Sequence, residues 1–459
     1  PGGSLEKVKY LPISSIPNDA FSLGEEFLLT GPYSGPAQAG ADAFRDQDYA
    51  QAITLFRSAL NDNRNNPEVL IYLNNAIAAA SGQPVDMVAV SIPARDADGD
   101  SKELLRGIAQ AQTEHNCGIA AMVTAIENPA SLESCQSDGK LLQVMIADHD
   151  NRNDADRVIE RFEQLATDGR ILGVLGRYNS SMTFAVEQRI NEGIKIPVIS
   201  TTSTAVRQTE IPSRYVFRTS PTDDMTARKW QDYLDNNSAR HLVMLSDSGD
   251  NSEYSQSLRT ELENVLPTSI KAQSYNCDLS DISLCLNELE AQPVDAIVLI
   301  PSDDRDYIDQ ALSFVDRFES RYNSQQVLER ISQNSLLESL VVAVPWHRGQ
   351  QPTAFEQAAE NLWQSAINWR TAMGYDATQL LITAAEQITP CGNDVQSCRD
   401  AIRDSILADG LDGGATGDIQ FRNNDGNRQV SESSRISVLV GVNLAERTFE
   451  CLEGESCAE

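Results

Sequence analysis

The sequence predicts an α/β protein built from two lobes, with a short helical segment in front of them. Two stretches of the chain, residues 85–200 and 226–346, alternate strand-sized apolar runs with amphipathic helical patterns. Strands that alternate with helices over short connections are typical of parallel βαβ units. At 459 residues the chain is also too long for a single compact core. Two successive α/β lobes with a cleft between them account for both observations.

The segment before the first lobe, residues 1–85, has a different character. Residues 1–32 are rich in Pro, Ser and Gly and show no steady period, so we interpret them as an irregular lead. Apolar residues at three- and four-residue spacing between residues 43 and 60 predict a helix. A polar break follows, and Pro67 begins a second predicted helix, since Pro suits the first helical position.

These two helices resemble a single tetratricopeptide-type helix pair. The residues that carry the resemblance are Gly40, Ala52, Phe56, Ala59 and Pro67. One such unit cannot bury its faces alone, so we expect the pair to pack on the main body of the protein. It serves there either as a docking module for a partner or as a structural addition.

Each lobe follows its own order of predicted elements. In the first lobe strands are predicted at residues 87–92, 141–146, 171–175 and 196–200, with helices at 102–116, 155–167 and 182–192. In the second lobe helices are predicted at residues 226–236, 254–265 and 307–318, with strands at 241–245, 296–300 and 340–344. A long helix containing Trp369 and Leu380 follows, and then a polar, Gly-rich tail.

The charge of the chain excludes one large class of functions. The 36 Lys and Arg residues against 67 Asp and Glu residues give a net charge of −31 at neutral pH. Such a protein repels phosphate backbones and anionic membrane surfaces, so we expect neither nucleic-acid nor membrane binding. No run approaches 18 consecutive apolar residues, so no transmembrane helix is predicted.

The eight cysteines fall into four pairs of sequence neighbours, which predicts four loop-closing disulfides. The pairs are Cys117 with Cys135, Cys277 with Cys285, Cys391 with Cys398, and Cys451 with Cys457. These spacings do not match those of zinc sites. Disulfides indicate an oxidising compartment, either the periplasm or the cell exterior. The alternative is eight buried thiols in a cytosolic protein. The chain begins at Pro1 without a signal peptide, as expected of a processed or truncated form.

Two hydroxyl-rich loops are the best candidates for a binding site. Residues 176–183 follow one predicted strand of the first lobe, and residues 200–204 follow the next. Ligands of open parallel sheets lie beyond the carboxyl ends of the strands, against the N-termini of helices. Two such loops side by side can hold a carboxylate without an arginine. The alternative is simple helix capping, which Ser180 or Thr204 alone would provide.

The first of these loops also begins a resemblance to a known family. The segment GRYNSSMTFAVEQRINEGIKIPVISTTST at residues 176–204 resembles the binding segment of type I periplasmic solute-binding proteins. More narrowly, it is similar to the leucine/isoleucine/valine (branched-chain amino-acid) binding proteins of ABC transporters. Supporting segments, in order, are LLRGIAQAQ, IADHDN, YVFRTSPTD, YSQSL, AVPWH, GYDAT, TGDIQF and GNR. The resemblance extends over about residues 86–450.

The resemblance implies a type I periplasmic-binding-protein fold, in which two α/β lobes joined by three chain crossings close on a ligand. The implied first lobe comprises residues 86–219 and 347–408, and the second comprises residues 220–346 and 409–459. Residues 1–85 remain the helical extension. Closure is favoured because only the closed state satisfies both halves of the ligand.

The resemblance also implies which residues bind. Ser180, with Ser181 beside it, holds the ligand carboxylate, and Thr202 and Thr204 lie on the second loop. Tyr254 of the second lobe covers the ligand. The remaining candidates are Asp303 or Asp304 for the α-ammonium group, and Trp346, which touches either the ligand or the lobe interface. A zwitterion needs this pairing of an anion site with a cation site, together with a pocket for its side chain.

An enzyme or a metal site has little support in the sequence. The four histidines are dispersed, and none of the GxSxG, HExxH, P-loop or GxGxxG motifs occurs. We interpret residues 148–150, Asp-His-Asp, as a solvated loop rather than a metal trio, and Arg95 as a surface residue. The expected cofactor and metal content is therefore none.

The resemblance, together with the cysteine pairs, therefore implies an extracytoplasmic, monomeric binding protein that delivers a small ligand to an ABC permease. A free amino acid is the expected ligand. The expected location is the periplasm or the cell exterior, and an anchor outside this segment is compatible with it. The alternative function is a ligand-sensing receptor or regulatory ectodomain of the same fold.

Overall fold

The computed structural model describes most of the chain. The described residues are 20–95, 98–128, 140–151, 153–176, 179–206, 214–249, 252–289, 292–302, 310–311, 341–349, 352–388, 394–421, 426–429, 435–443, 448–452 and 457.

The described strands are β1 (Phe21–Ser22), β2 (Val85–Ile92), β3 (Leu141–Asp148), β4 (Ile171–Gly176), β5 (Val198–Ser200), β6 (Val216–Arg218), β7 (Leu242–Ser246), β8 (Tyr275–Asp278), β9 (Ala296–Ile300), β10 (Val341–Val344), β11 (Leu411–Gly414), β12 (Gly417–Ile419), β13 (Val438–Asn443) and β14 (Thr448–Cys451).

The described α-helices are α1 (Gly35–Arg45), α2 (Tyr49–Asp62), α3 (Pro67–Ser81), α4 (Asp98–Asn116), α5 (Ile119–Glu127), α6 (Ala155–Thr167), α7 (Ser180–Arg189), α8 (Asp223–Asn236), α9 (Glu253–Val265), α10 (Thr268–Lys271), α11 (Ile282–Glu288), α12 (Ala354–Trp363), α13 (Trp369–Gln387) and α14 (Val395–Asp409). None of them combines the length and the apolar character that crossing a bilayer requires.

The first lobe contains a six-stranded sheet in the order β1-β3-β2-β4-β5-β6. Strands β2 to β6 run parallel, and only the short edge strand β1 is antiparallel to its neighbour. The predicted α/β class with parallel βαβ units is therefore confirmed. Because β4 and β5 are neighbours, the loops that follow them come out at the same edge of the sheet.

The N-terminal segment is built into the first lobe. Strand β1 adds to its sheet, and the buried side chains of α1 to α3 share one hydrophobic core with the strands. The buried side chain of Asn75 on α3 donates to the carbonyl oxygens of Leu23 and Val144, both at 2.8 Å. The described residues 20–81 are therefore an integral part of the first lobe.

One predicted helix is in fact two. The apolar period between residues 43 and 60 predicted a continuous helix, but the chain reverses between α1 and α2. Gln47 lies in the left-handed region with φ of 63°, and the Asp48 side chain caps α2 by accepting from the Gln51 amide. Local capping thus ends one helix and begins the next where the apolar spacing alone does not.

The second lobe contains two described three-stranded sheets. The first, β8-β7-β9, is parallel, and the second, β10-β13-β14, is antiparallel. The predicted helix at residues 307–318 lies outside the described residues apart from 310–311.

Two predicted disulfides, Cys277–Cys285 and Cys451–Cys457, are present in the second lobe. Cys117 and Cys398 are also disulfide-bonded, while Cys135 and Cys391 lie outside the described residues.

The last crossing between the lobes comes later in the chain than the sequence indicated. We expected residues 409–459 in the second lobe, but Leu411, Ile419 and Phe421 pack in the core of the first lobe. The Phe421 ring meets that of Phe217 at a centroid distance of 5.1 Å. The chain reaches the second lobe at β13, which pairs with β10.

The buried side chain of Arg428 links the first and third chain crossings between the lobes by hydrogen bonds. Its fully buried guanidinium donates to the Thr219 carbonyl oxygen at 3.0 Å and to the Thr416 hydroxyl at 2.6 Å. The same hydroxyl donates to the buried carboxylate of Asp376 on α13. Residues from the first and third crossings are therefore fixed to one helix of the first lobe.

Helices α4 and α13 approach so closely that glycine is needed between them. A Cβ atom at Gly107 would lie 2.0 Å from the Thr371 carbonyl oxygen, whereas one at Gly99 on the same helix would meet nothing within 4 Å.

We predict that Gly107→Ala lowers the free energy of unfolding by about 1–3 kcal/mol, because α13 has to move. Gly99→Ala should leave it unchanged or raise it by up to about 1 kcal/mol. Denaturant unfolding followed by circular dichroism tests this, and equal midpoints for the two variants would contradict the close approach.

Candidate functional site

Helix α7 begins at the carboxyl end of β4 with two backbone donors on buried residues. The side chain of Asn179 caps it by accepting from the Met182 amide at 2.9 Å, and the Asn179 carbonyl accepts from the Thr183 amide. The amides of Ser180 and Ser181 have no acceptor among the described residues. A helix N-terminus carries about half a positive charge, so these two N–H groups favour an anion.

Ser180 ties the two hydroxyl-rich loops together. Its buried Oγ accepts from the backbone amides of Thr204 at 3.3 Å and Ala205 at 3.1 Å. The loop after β5 is fixed further by Thr201, whose hydroxyl donates to the Gly176 carbonyl at 3.1 Å. The structure therefore brings the two loops into contact, as the adjacency of their strands requires.

Asp223, the first residue of α8, lies beside the same loop. Its amide donates to the Thr204 carbonyl oxygen at 2.8 Å, and the hydroxyls of Thr204 and Ser257 approach its carboxylate. The side chain is only 1% exposed, and its Oδ2 has no hydrogen-bond partner among the described residues. Burial raises the pKa of Asp223 to about 7. A buried carboxylate without a cation in contact attracts a cationic ligand group or a proton.

The two lobes touch each other around these residues. The Ser181 hydroxyl of the first lobe donates to the carboxylate of Glu253, the first residue of α9 in the second lobe. The Val206 amide donates to Ser257 Oγ at 2.9 Å. Tyr254 is half-buried in the second lobe, and its pKa is raised by burial and by the nearby charge of Asp223.

The predicted site residues separate into three groups. Ser180, Ser181, Thr204 and Tyr254 lie at the junction just described, and Thr202 is half-buried on the same loop. Asp303 and Asp304 lie outside the described residues.

Trp346 forms the third group. It is 2% exposed and packs edge-on against Phe355 in a cluster with Met225, Ala372 and Met373. None of its described contacts reaches Ser180 or Thr204. Met225 is on α8, and Ala372 and Met373 are on α13; a contact of Trp346 with the ligand stays a prediction.

Asp223 was missed from the sequence although it lies in the recognised segment YVFRTSPTD. An aspartate in the first turn of a helix normally stabilises that helix from the surface, and the pattern gives no sign of burial. What distinguishes Asp223 is tertiary: Thr204 of one lobe and Ser257 of the other enclose it.

The interpretation of residues 148–150 as a solvated loop is wrong for Asp148 and His149, each 1% exposed, and internal contacts hold the segment. The Asp148 carboxylate accepts from the amides of Ala94 and Asp150, both at 2.9 Å, and Arg95 contacts Asp150 at 3.3 Å. Within the described part of the chain, no three His, Cys, Asp or Glu side chains come close enough together to hold a metal ion.

Comparison with known proteins identifies a family over most of the chain. The sequence profile of the periplasmic binding protein family matches residues 134–436. No curated protein matches the sequence.

Solved structures share the fold at low sequence identity. An ABC-transporter substrate-binding protein from Desulfitobacterium hafniense, solved in complex with Leu, is 18% identical, with a TM-score of 0.57. The alignment covers 80% of this chain and 100% of that one. The branched-chain amino-acid transporter substrate-binding protein LivJ from Streptococcus pneumoniae, in complex with isoleucine, is 15% identical with a TM-score of 0.56. That alignment covers 80% and 98% of the two chains.

The raised pKa of Asp223 predicts how stability changes with pH. The folded protein holds the Asp223 proton more tightly than the unfolded chain does. The contribution of Asp223 to the unfolding free energy is therefore fully present at low pH and is lost as the pH rises from about 4 to about 7. We predict that Asp223→Asn removes this loss. Relative to the wild type, the variant should gain up to about 1.4 kcal/mol of unfolding free energy per pH unit in that range.

Urea unfolding at several pH values measures the difference between variant and wild type. Asp232→Asn, which changes an exposed carboxylate on the same helix, is the matched control and should show no such gain. Parallel pH profiles for wild type and Asp223→Asn would contradict the burial of a proton at this site.

Proposed function

Since this chain belongs to the periplasmic binding protein family, we propose that it captures a free amino acid between its lobes and delivers it to an ABC permease. The family consists of binding proteins rather than enzymes. The observation that carries the proposal is the junction of Ser180, Thr204 and Asp223, where the neutral donors of α7 and the buried Asp223 carboxylate both lie against the loop of Thr204.

The α7 N-terminus is the proposed carboxylate site. The amides of Ser180 and Ser181 and the hydroxyl of Ser181 are donors in one place, and the helix dipole adds to their attraction for an anion. Ser180 Oγ accepts two amides of the neighbouring loop and thereby fixes both loops for the ligand. Such preformed donors cost little ordering entropy on binding.

Asp223 is the proposed partner of the α-ammonium group. It is buried between two hydroxyls and has an unsatisfied oxygen, so an ammonium group would supply the missing donor and charge. This assignment differs from the expectation of Asp303 or Asp304. A ligand with both charges fits the two sites, whereas a simple acid or amine fits only one of them.

The apolar amino acid class is supported by the similar structures. Those from Desulfitobacterium hafniense and Streptococcus pneumoniae were solved with Leu and with isoleucine. The side chain of the ligand would then face the second lobe, where Tyr254 lies. The disulfides favour an extracytoplasmic location, and docking to a permease follows from the transport role.

Thermal unfolding with a panel of free amino acids tests the proposal. A ligand that binds only the native state at 100 times its Kd adds about 2.7 kcal/mol to the unfolding free energy. We expect L-leucine or L-isoleucine to raise the melting temperature and Ser180→Ala to abolish the shift. Failure of every amino acid, amide and aromatic acid to shift the wild type would refute amino-acid capture.

A second measurement tests the role of Asp223. We predict that the wild type binds L-leucine at least about tenfold more tightly than 4-methylpentanoate, which has the same side chain without the ammonium group. Asp223→Asn should reduce that ratio towards one, mainly by weakening L-leucine. Calorimetric titration gives both constants. An unchanged ratio in Asp223→Asn would place the ammonium site elsewhere.

A further inference from the structure

A carboxylate of the second lobe lies at the N-terminus of α7. Glu253 accepts the hydroxyl of Ser181, the second residue of α7, across the junction between the lobes. Ser181 belongs to the donor set proposed above for the ligand carboxylate. One of these donors is therefore already taken by the chain itself.

We propose that Glu253 is an internal competitor that occupies the anion site in the ligand-free protein and leaves when the ligand carboxylate enters. The half positive charge of a helix N-terminus attracts a side-chain carboxylate as it attracts a ligand carboxylate. The competition rests on the proposed function, while the interlobe contact itself does not.

The position of Glu253 allows it to leave. It is an exposed residue at the start of α9, so its released carboxylate enters water without a desolvation cost. The neighbouring contact between Val206 and Ser257 Oγ joins backbone to side chain across the lobes and does not involve Glu253. Loss of Glu253 thus removes one polar contact across the junction and keeps those of Val206 with Ser257 and of Asp223 with Thr204.

The contact has two consequences that can be measured separately. It favours contact between the lobes without ligand, and it lowers the apparent affinity because the ligand must first displace it. A net hydrogen-bond contribution of ordinary size corresponds to an increase in affinity of about three- to tenfold when Glu253 is removed.

The experiment uses Glu253→Ala, Glu253→Gln and the matched control Glu263→Ala. Glu263 is on the same helix but accepts Asn276 within the second lobe, so its removal changes the charge equally without touching the junction. Small-angle X-ray scattering gives the radius of gyration of each ligand-free protein, and calorimetric titration gives the Kd for L-leucine. Glu253→Gln keeps a neutral acceptor and should fall between wild type and Glu253→Ala.

The expected result is a larger ligand-free radius for Glu253→Ala and a Kd about three- to tenfold lower than in the wild type and in Glu263→Ala. An unchanged radius, an unchanged Kd or a higher Kd would each overturn the proposal. If no protein binds L-leucine while the Glu253→Ala radius still increases, the amino-acid function fails and the interlobe contact stands.

Discussion

The buried guanidinium of Arg428 is the constraint on which the two-lobed arrangement depends. It donates to Thr219 in the first crossing and to Thr416 ahead of the third, and Thr416 is in turn bound to Asp376 on α13. Burial lowers the pKa of Arg428 to about 10, so it stays charged at neutral pH. If the buried guanidinium lost these contacts, both its charge and the buried oxygens would lack hydrogen-bond partners, which costs free energy. The crossings are therefore held against the first lobe.

Because the crossings are held in place, movement of one lobe relative to the other changes mainly the contacts across the cleft. The polar contacts there include those of Ser181 with Glu253, of Val206 with Ser257 and of Thr204 with Asp223, and each is far weaker than a packed core. A ligand that bridges the lobes adds contacts only in the closed state, so it can shift the equilibrium by no more than that difference. Polar contacts that break and re-form suit this task better than apolar packing, because they can exchange with water.

Much of this architecture could be read from the sequence, and the limits have physical reasons. The parallel strands and the loops carrying Ser180 and Thr204 follow from apolar periodicity and the rule for sheet edges, both of which are local. The sequence did not predict the helix break at Gln47, because the apolar spacing continues through it while a residue in the left-handed region ends the helix. The sequence did not identify Asp223 because its burial comes from residues of both lobes. It placed the third crossing too early because Phe421 belongs to the first lobe through its packing on Phe217, which is a tertiary contact.

The net charge of −31 takes on a specific meaning at the proposed site. The field of so many carboxylates opposes any anion that approaches, although salt screens it beyond about 10 Å. The α7 N-terminus offers local donors but no full positive charge, so a simple anion meets the repulsion with little to offset it. A zwitterion carries no net charge and does not meet that repulsion as it approaches. Its ammonium group can then contact Asp223, whose burial makes a cation more valuable there than at the surface. The neutral donors of the proposed anion site and the buried carboxylate of Asp223 thus discriminate by charge pattern, and the acidic exterior reinforces that choice.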